Sequence, residues 1–212
     1  MKARIINITI IILVTAGLIL MFTNKDTGTG LMSRGFGNLK YYTVLSNLFA
    51  GIAALVSLFT DNKLSKVMKL MSASATGVTF AVIAFFLGPL YGHVNLYRNA
   101  NFLFHLVVPL IAMYDYVTLK DAAAGIRSAA LSAVPTVLYG AGYVLNILIN
   151  GIGGEYPDTN DFYLFLHWGW GVGIAIFAGI TAVTFGIACL LRWANKRIGY
   201  SRNQDDQNLL TY

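Results

Sequence analysis

Six long apolar runs divide the chain, at residues 5–22, 41–60, 70–91, 101–119, 128–149 and 162–191. An α-helix needs about 20 predominantly apolar residues to cross the hydrocarbon core of a bilayer. Each run therefore predicts one spanning helix, and the sixth is long enough to tilt or protrude. The stretches between them carry the turn and charged residues. Residues 23–40 are rich in Gly, Asn and Thr, 61–69 form a short basic loop, and 92–100 and 120–127 are short and polar. Residues 150–161 hold Gly151, Gly153, Gly154, Glu155, Tyr156-Pro157, Asp158 and Asp161. The predicted fold is all-α, a polytopic six-helix transmembrane bundle over residues 1–195, with a polar cytoplasmic tail over 196–212.

Composition agrees with this pattern. Only 11% of the 212 residues are charged and 57% are hydrophobic, against about 25% charged in a soluble domain. Mean hydropathy is +0.64. The net charge of +6 is not a nucleic-acid signal, because the basic residues lie between the apolar runs and act as topology signals. The single cysteine, Cys189, excludes an intramolecular disulfide. The first run is longer than a signal-peptide core and lacks a small-x-small cleavage site, so it is expected to be a retained helix.

The basic residues also predict orientation. Eleven fall on one side: Lys2, Arg4, Lys63, Lys66, Lys69, Lys120, Arg127, Arg192, Lys196, Arg197 and Arg202. Four fall on the other: Lys25, Arg34, Lys40 and Arg98. The bias places both termini in the cytoplasm. The Tyr41-Tyr42 pair suits a membrane interface.

At about 1.5 Å per helical residue, the polar residues of separate spans then fall at one depth, in the outer half. Thr43, Ser46 and Asn47 share a face of the second span. His105 enters on the fourth span at nearly the depth of Thr43. Tyr139, Tyr143, Asn146 and Asn150 line one face of the fifth, and His167 lies five residues into the sixth. His93 follows the third span at the interface. A hydroxyl beside an imidazole is the minimum for nucleophilic acyl transfer. Thr43 and His105 are the candidate pair, with Ser46, Asn47, Tyr143, Asn146 and His167 as candidate substrate-binding or oxyanion groups. Ser, Thr, Asn and His also serve as packing glue between membrane helices, and that reading competes at every position. A metal site built on His93, His105 and His167 lacks local ligand-pair spacing, and no metal or cofactor is expected. A proton- or ion-coupled transporter would use Asp115 and kinks at Pro89 and Pro109, but no inverted repeat is visible. Asp115 lies about 15 Å beyond His105, too far to orient it. Its expected partner is a residue of the fifth or sixth span, or a snorkelling path to the inner face. Gly169 and Gly173 form a small-xxx-small pair expected to pack against another helix.

Four strings carry a family resemblance. They are Tyr41-Tyr-Thr43-Val-Leu-Ser46-Asn47-Leu, Thr76-Gly-Val-Thr-Phe, Asn101-Phe-Leu-Phe-His105-Leu-Val-Val-Pro109 with Tyr114-Asp115, and Tyr156-Pro157 with Asp161. In this order and spacing the chain resembles the androgen-induced / androgen-dependent TFPI-regulating protein family, and above all its bacterial six-helix members. Animal members hydrolyse fatty acid esters of hydroxy fatty acids through an intramembrane Thr and His. The resemblance implies Thr43 as nucleophile and His105 as general base, acting on a fatty-acyl ester. The expected function is a lipid-ester hydrolase of the outer leaflet of the cell membrane, with the bilayer and its substrate as partners. The alternative is a non-enzymatic membrane protein that binds or transports a lipid or small amphiphile through the same polar pocket.

Overall fold

The computed structural model describes residues 2–23, 35–90, 96–120, 122, 125–155 and 159–209. His93 and Tyr156-Pro157 lie outside the described residues. Among the described residues the protein is all-helical, with six helices long and apolar enough to cross a membrane. They are α1 (Lys2–Thr23), α2 (Tyr42–Phe59), α3 (Lys63–Leu87), α4 (Ala100–Thr118), α5 (Ile126–Asn150) and α6 (Trp170–Leu209). A short 3-10 turn, Gly35–Lys40, leads into α2.

Helix α3 is the axis of the bundle and packs against α2, α4, α5 and α6. Its middle reads Ser72-Ala-Ser-Ala-Thr-Gly-Val-Thr79, and all eight residues are buried. Small side chains let neighbouring backbones approach, the main source of packing energy where lipid is as apolar as Leu. Most of the hydroxyls satisfy themselves along the helix, as in Ser74 Oγ to the Leu70 carbonyl and Thr76 Oγ1 to the Ser72 carbonyl. Of the 18-residue apolar window of α3, 56% is buried, against 17% for that of α6. Helix α6 therefore turns most of its surface to lipid.

Prolines shape two helices in the same way. Residues Ile83–Leu87 and Leu103–Val107 are π-helical turns, ending two residues before Pro89 and Pro109. In α4 the Val108 N–H reaches back five residues to the Leu103 carbonyl. The next donor in that register would be the nitrogen of Pro109, which has no hydrogen. The Phe104 carbonyl is thus left without a backbone partner. The kinks anticipated at both prolines take this form. Helix α5 breaks at Ala133, two residues before Pro135.

Several boundaries differ from the apolar pattern. Helix α3 starts at Lys63, not at residue 70, because Asn62 and Ser65 form a reciprocal capping box that satisfies orphan N–H groups of the first turn. Lys69 is therefore a helical residue in the interior, not part of a loop. Helix α6 begins at Trp170 rather than at 162, since residues 161–169 are irregular and Gly169 has φ +85. Gly169 is outside the helix, and a Cβ on Gly173 would meet the Phe165 carbonyl oxygen at 2.8 Å. The expected small-xxx-small face is thus a close approach of α6 to its own preceding turn. At its far end α6 continues to Leu209, through the stretch expected to be a separate polar tail.

Candidate functional site

Polar assemblies lie at both ends of the bundle. The first lies where α2 and α4 begin. Asn47, on the second turn of α2, is fully buried at 0% exposure. Its Nδ2 donates to the Thr43 carbonyl at 2.7 Å and to the Phe104 carbonyl at 3.0 Å. The second acceptor is the one orphaned by Pro109. Asn47 therefore clamps the residue before His105 to the backbone of Thr43. Ser46 Oγ donates to the Thr43 carbonyl at 3.0 Å and lies 3.2 Å from Thr79 Oγ1 of α3. Thr43, Ser46, Asn47 and the His105 turn thus meet at the junction of α2, α3 and α4.

His105 is buried inside the π-helical turn. Its Nδ1 lies 2.6 Å from the Leu96 carbonyl oxygen. A carbonyl only accepts, so Nδ1 carries the proton, and in the neutral ring Nε2 then holds the lone pair. Tyr97 packs edge-on against the imidazole, with centroids 6.4 Å apart. Thr43 is half-buried, and its Oγ1 makes no hydrogen bond among the described residues. Both hydrogens of the Asn47 amide are committed to carbonyls. Its Oδ1 is buried without a partner among the described residues. Asn47 in this arrangement is a clamp with a spare acceptor, not the oxyanion donor that its position suggested.

Tyr143 and Asn146 belong to a neighbouring assembly that orders the segment before α6. Asp161 is its centre. Its Oδ1 accepts from Tyr143 O–H at 2.6 Å and from the Phe165 N–H at 2.9 Å, and its Oδ2 from the Leu166 N–H at 3.0 Å. The Tyr143 oxygen in turn accepts from the Tyr163 N–H at 3.2 Å. Asn146 Nδ2 donates to Asn160 Oδ1 at 3.1 Å. The rings of Tyr143, Phe162, Tyr163, Phe165 and Phe177 stack around this carboxylate with centroids 4.5–5.9 Å apart. Tyr41 and Tyr42 join the same layer. Tyr41 is buried against Phe162, and the Tyr42 hydroxyl lies 2.7 Å from Thr136 Oγ1. Tyr41 is buried and Tyr42 half-buried, so both brace the helices here. His167 is exposed in the turn before α6, edge-on to Trp168 at 5.1 Å.

No family model, curated protein or solved structure matches this chain.

The second assembly lies where α1 and α3 begin. Lys69 Nζ donates to Asp115 Oδ2 and, at 2.7 Å, to Asn7 Oδ1. Lys69 is 5% exposed, Asp115 4% and Asn7 3%. The partner of Asp115 therefore comes from α3, not from the fifth or sixth span, and α1 contributes Asn7 as a second acceptor for Lys69. An apolar pattern starting at residue 70 hides Lys69. The signal that reveals it is Asn62-Lys-Leu-Ser65, a capping box that moves the helix start back. A void of about 10 Å³ adjoins both residues of the pair, and a cavity of about 400 Å³ is lined by Lys69 and not by Asp115.

Proposed function

We propose that the chain is an intramembrane lipid-ester hydrolase. The observation that supports this reading best is the state of His105. Its Nδ1–H is held by the Leu96 carbonyl, which fixes the ring and leaves Nε2 as a base. This is the orientation role that a carboxylate plays in a catalytic triad. Asn47 ties the His105 turn to Thr43, whose hydroxyl makes no competing hydrogen bond among the described residues.

Thr43 Oγ1 attacks the acyl carbonyl carbon as its proton passes to His105 Nε2. The tetrahedral intermediate expels the alkoxide, which takes that proton and leaves as the alcohol. A water molecule then attacks the acyl-threonine, again giving a proton to Nε2, and the acid leaves as Thr43 recovers it. The substrate is a fatty-acyl ester that enters from the leaflet at this end of the bundle. The excess of Lys and Arg at the opposite end supports the outer leaflet of the cell membrane as this side and the cytoplasm as the side of both termini. The test is release of fatty acid from a fatty-acyl ester by the purified chain. Thr43→Ala and His105→Ala each abolish it on this reading, while activity retained by Thr43→Ala refutes it.

A second reading is non-enzymatic binding of a lipid or small amphiphile through the same polar pocket. It is favoured by Asn47, whose two amide hydrogens are already committed and give no help to an oxyanion. Under it, substitutions at Thr43 weaken ligand binding in a graded way and no acyl-enzyme forms.

A further inference from the structure

The cavity of about 400 Å³ lies between the start of α1, the end of α2 and the start of α3. Its volume is in the range of small-ligand sites. Exposed Arg4, Thr60 and Asp61 stand among its lining residues, so it opens at the face where α1 begins. Three cations line it, Arg4, Lys66 and Lys69, against one acid, Asp61. The hydroxyls of Ser57 and Thr60 donate to carbonyls of their own helix, at 2.8 and 3.0 Å. They offer the cavity only lone pairs, so its hydrogen-bond donors are the cations and the Asn7 amide.

Each cation has capacity left. Arg4 makes no hydrogen bond or ion pair among the described residues. Lys66 pairs with Asp61 at 3.2 Å, but the Asp61 side chain is 85% exposed, and such a surface pair is weak and easily exchanged. Lys69 uses two of its three ammonium hydrogens, on Asp115 and Asn7, and the third remains. Asp115 lies behind Lys69 and does not line the cavity, so its carboxylate is not presented to a ligand. An excess of cationic donors around an open, ligand-sized cavity selects an anion. A guanidinium with two ammonium groups supplies charge-assisted donors to the anionic non-bridging oxygens of a phosphate group.

We propose that this cavity binds a phosphate group, with Arg4 and Lys66 at the mouth and Lys69 at the floor. An anionic phospholipid headgroup and free inorganic phosphate share that chemistry. The site stands independently of the Thr43–His105 assembly and of any hydrolase activity.

The test uses the purified full chain in phosphatidylcholine nanodiscs, with Tm as the readout. One arm replaces part of the lipid by phosphatidylglycerol. The other adds inorganic phosphate against chloride at matched ionic strength. At least one arm raises the Tm of the wild type. A response to phosphatidylglycerol alone identifies a headgroup site, and one to phosphate alone or to both identifies a site open to free phosphate. The apparent affinity falls by about ten-fold or more in Arg4→Gln/Lys66→Gln, as loss of charge-assisted hydrogen bonds requires. Arg4→Gln alone gives a smaller loss in the same direction and removes no hydrogen bond or ion pair among the described residues. Arg127→Gln, a basic residue of the same face outside the cavity, leaves the affinity unchanged. No shift in either arm, an equal shift in the double variant, or an equal loss in Arg127→Gln overturns the proposal.

Discussion

Asn47 reaches from α2 to the Phe104 carbonyl of α4 at 3.0 Å, filling the donor vacancy that Pro109 creates. The same nitrogen holds the Thr43 carbonyl, so one buried amide fixes the spacing between the two candidate catalytic segments. Asn47→Leu leaves the Phe104 carbonyl without its donor and is expected to cost about 1–3 kcal/mol. Asn47→Asp sets a carboxylate oxygen against two carbonyls and destabilises further. Thermal unfolding in one detergent should rank wild type above Asn47→Leu, and Asn47→Leu above Asn47→Asp.

The Lys69–Asp115 pair is a second stability test. Removing one partner of a buried ion pair leaves an uncompensated charge and costs about 3–5 kcal/mol, while replacing both by apolar residues is often close to neutral. Lys69→Met and Asp115→Leu should each lower Tm strongly, and the double substitution should recover most of the loss. Additive losses in the double variant would show that the two residues do not act as a pair.

Much of this architecture is legible in the chain. Six apolar runs and the small-residue stretch Ser72–Thr79 specify six spans and a central helix, because a bilayer leaves helices few alternatives. The meeting of Asn47 with the His105 turn follows from depth and from a proline that must orphan a carbonyl. Lys69 was hidden because a charged residue next to an apolar run resembles a loop, and only the Asn62–Ser65 box shows otherwise. Tyr143 was open to a binding role because its tie is to Asp161, a residue in an irregular segment with no periodicity to place it. The start of α6 depends on the same segment, where the positive φ of Gly169 interrupts an unbroken hydrophobic pattern.

Asp161 is expected to govern that segment. Asp161→Ala strands the Phe165 and Leu166 N–H groups and frees the Tyr143 hydroxyl, three bonds lost at about 1 kcal/mol or more each. Limited proteolysis should then cut between residues 159 and 169 at a rate well above wild type. Unchanged cleavage would remove Asp161 from its ordering role.

Gly17 marks a close contact of α1 with α4, since a Cβ there would collide with the Phe104 ring. Phe104 is fully buried and has no room to retreat. Gly17→Ala should cost about 1–3 kcal/mol by overpacking, whereas Gly142→Ala, where the added Cβ meets nothing within 4 Å, should not lower Tm. Equal Tm values for the two variants would contradict the packing described.

The central claim is that Thr43 is a nucleophile activated by His105. It is tested most directly by reacting the purified protein with a fluorophosphonate probe and locating the adduct by mass spectrometry. One adduct is expected, on Thr43, strongly reduced in His105→Ala and absent in Thr43→Ala. Equal labelling of wild type and Thr43→Ala, or no labelling of the folded wild type, would contradict it.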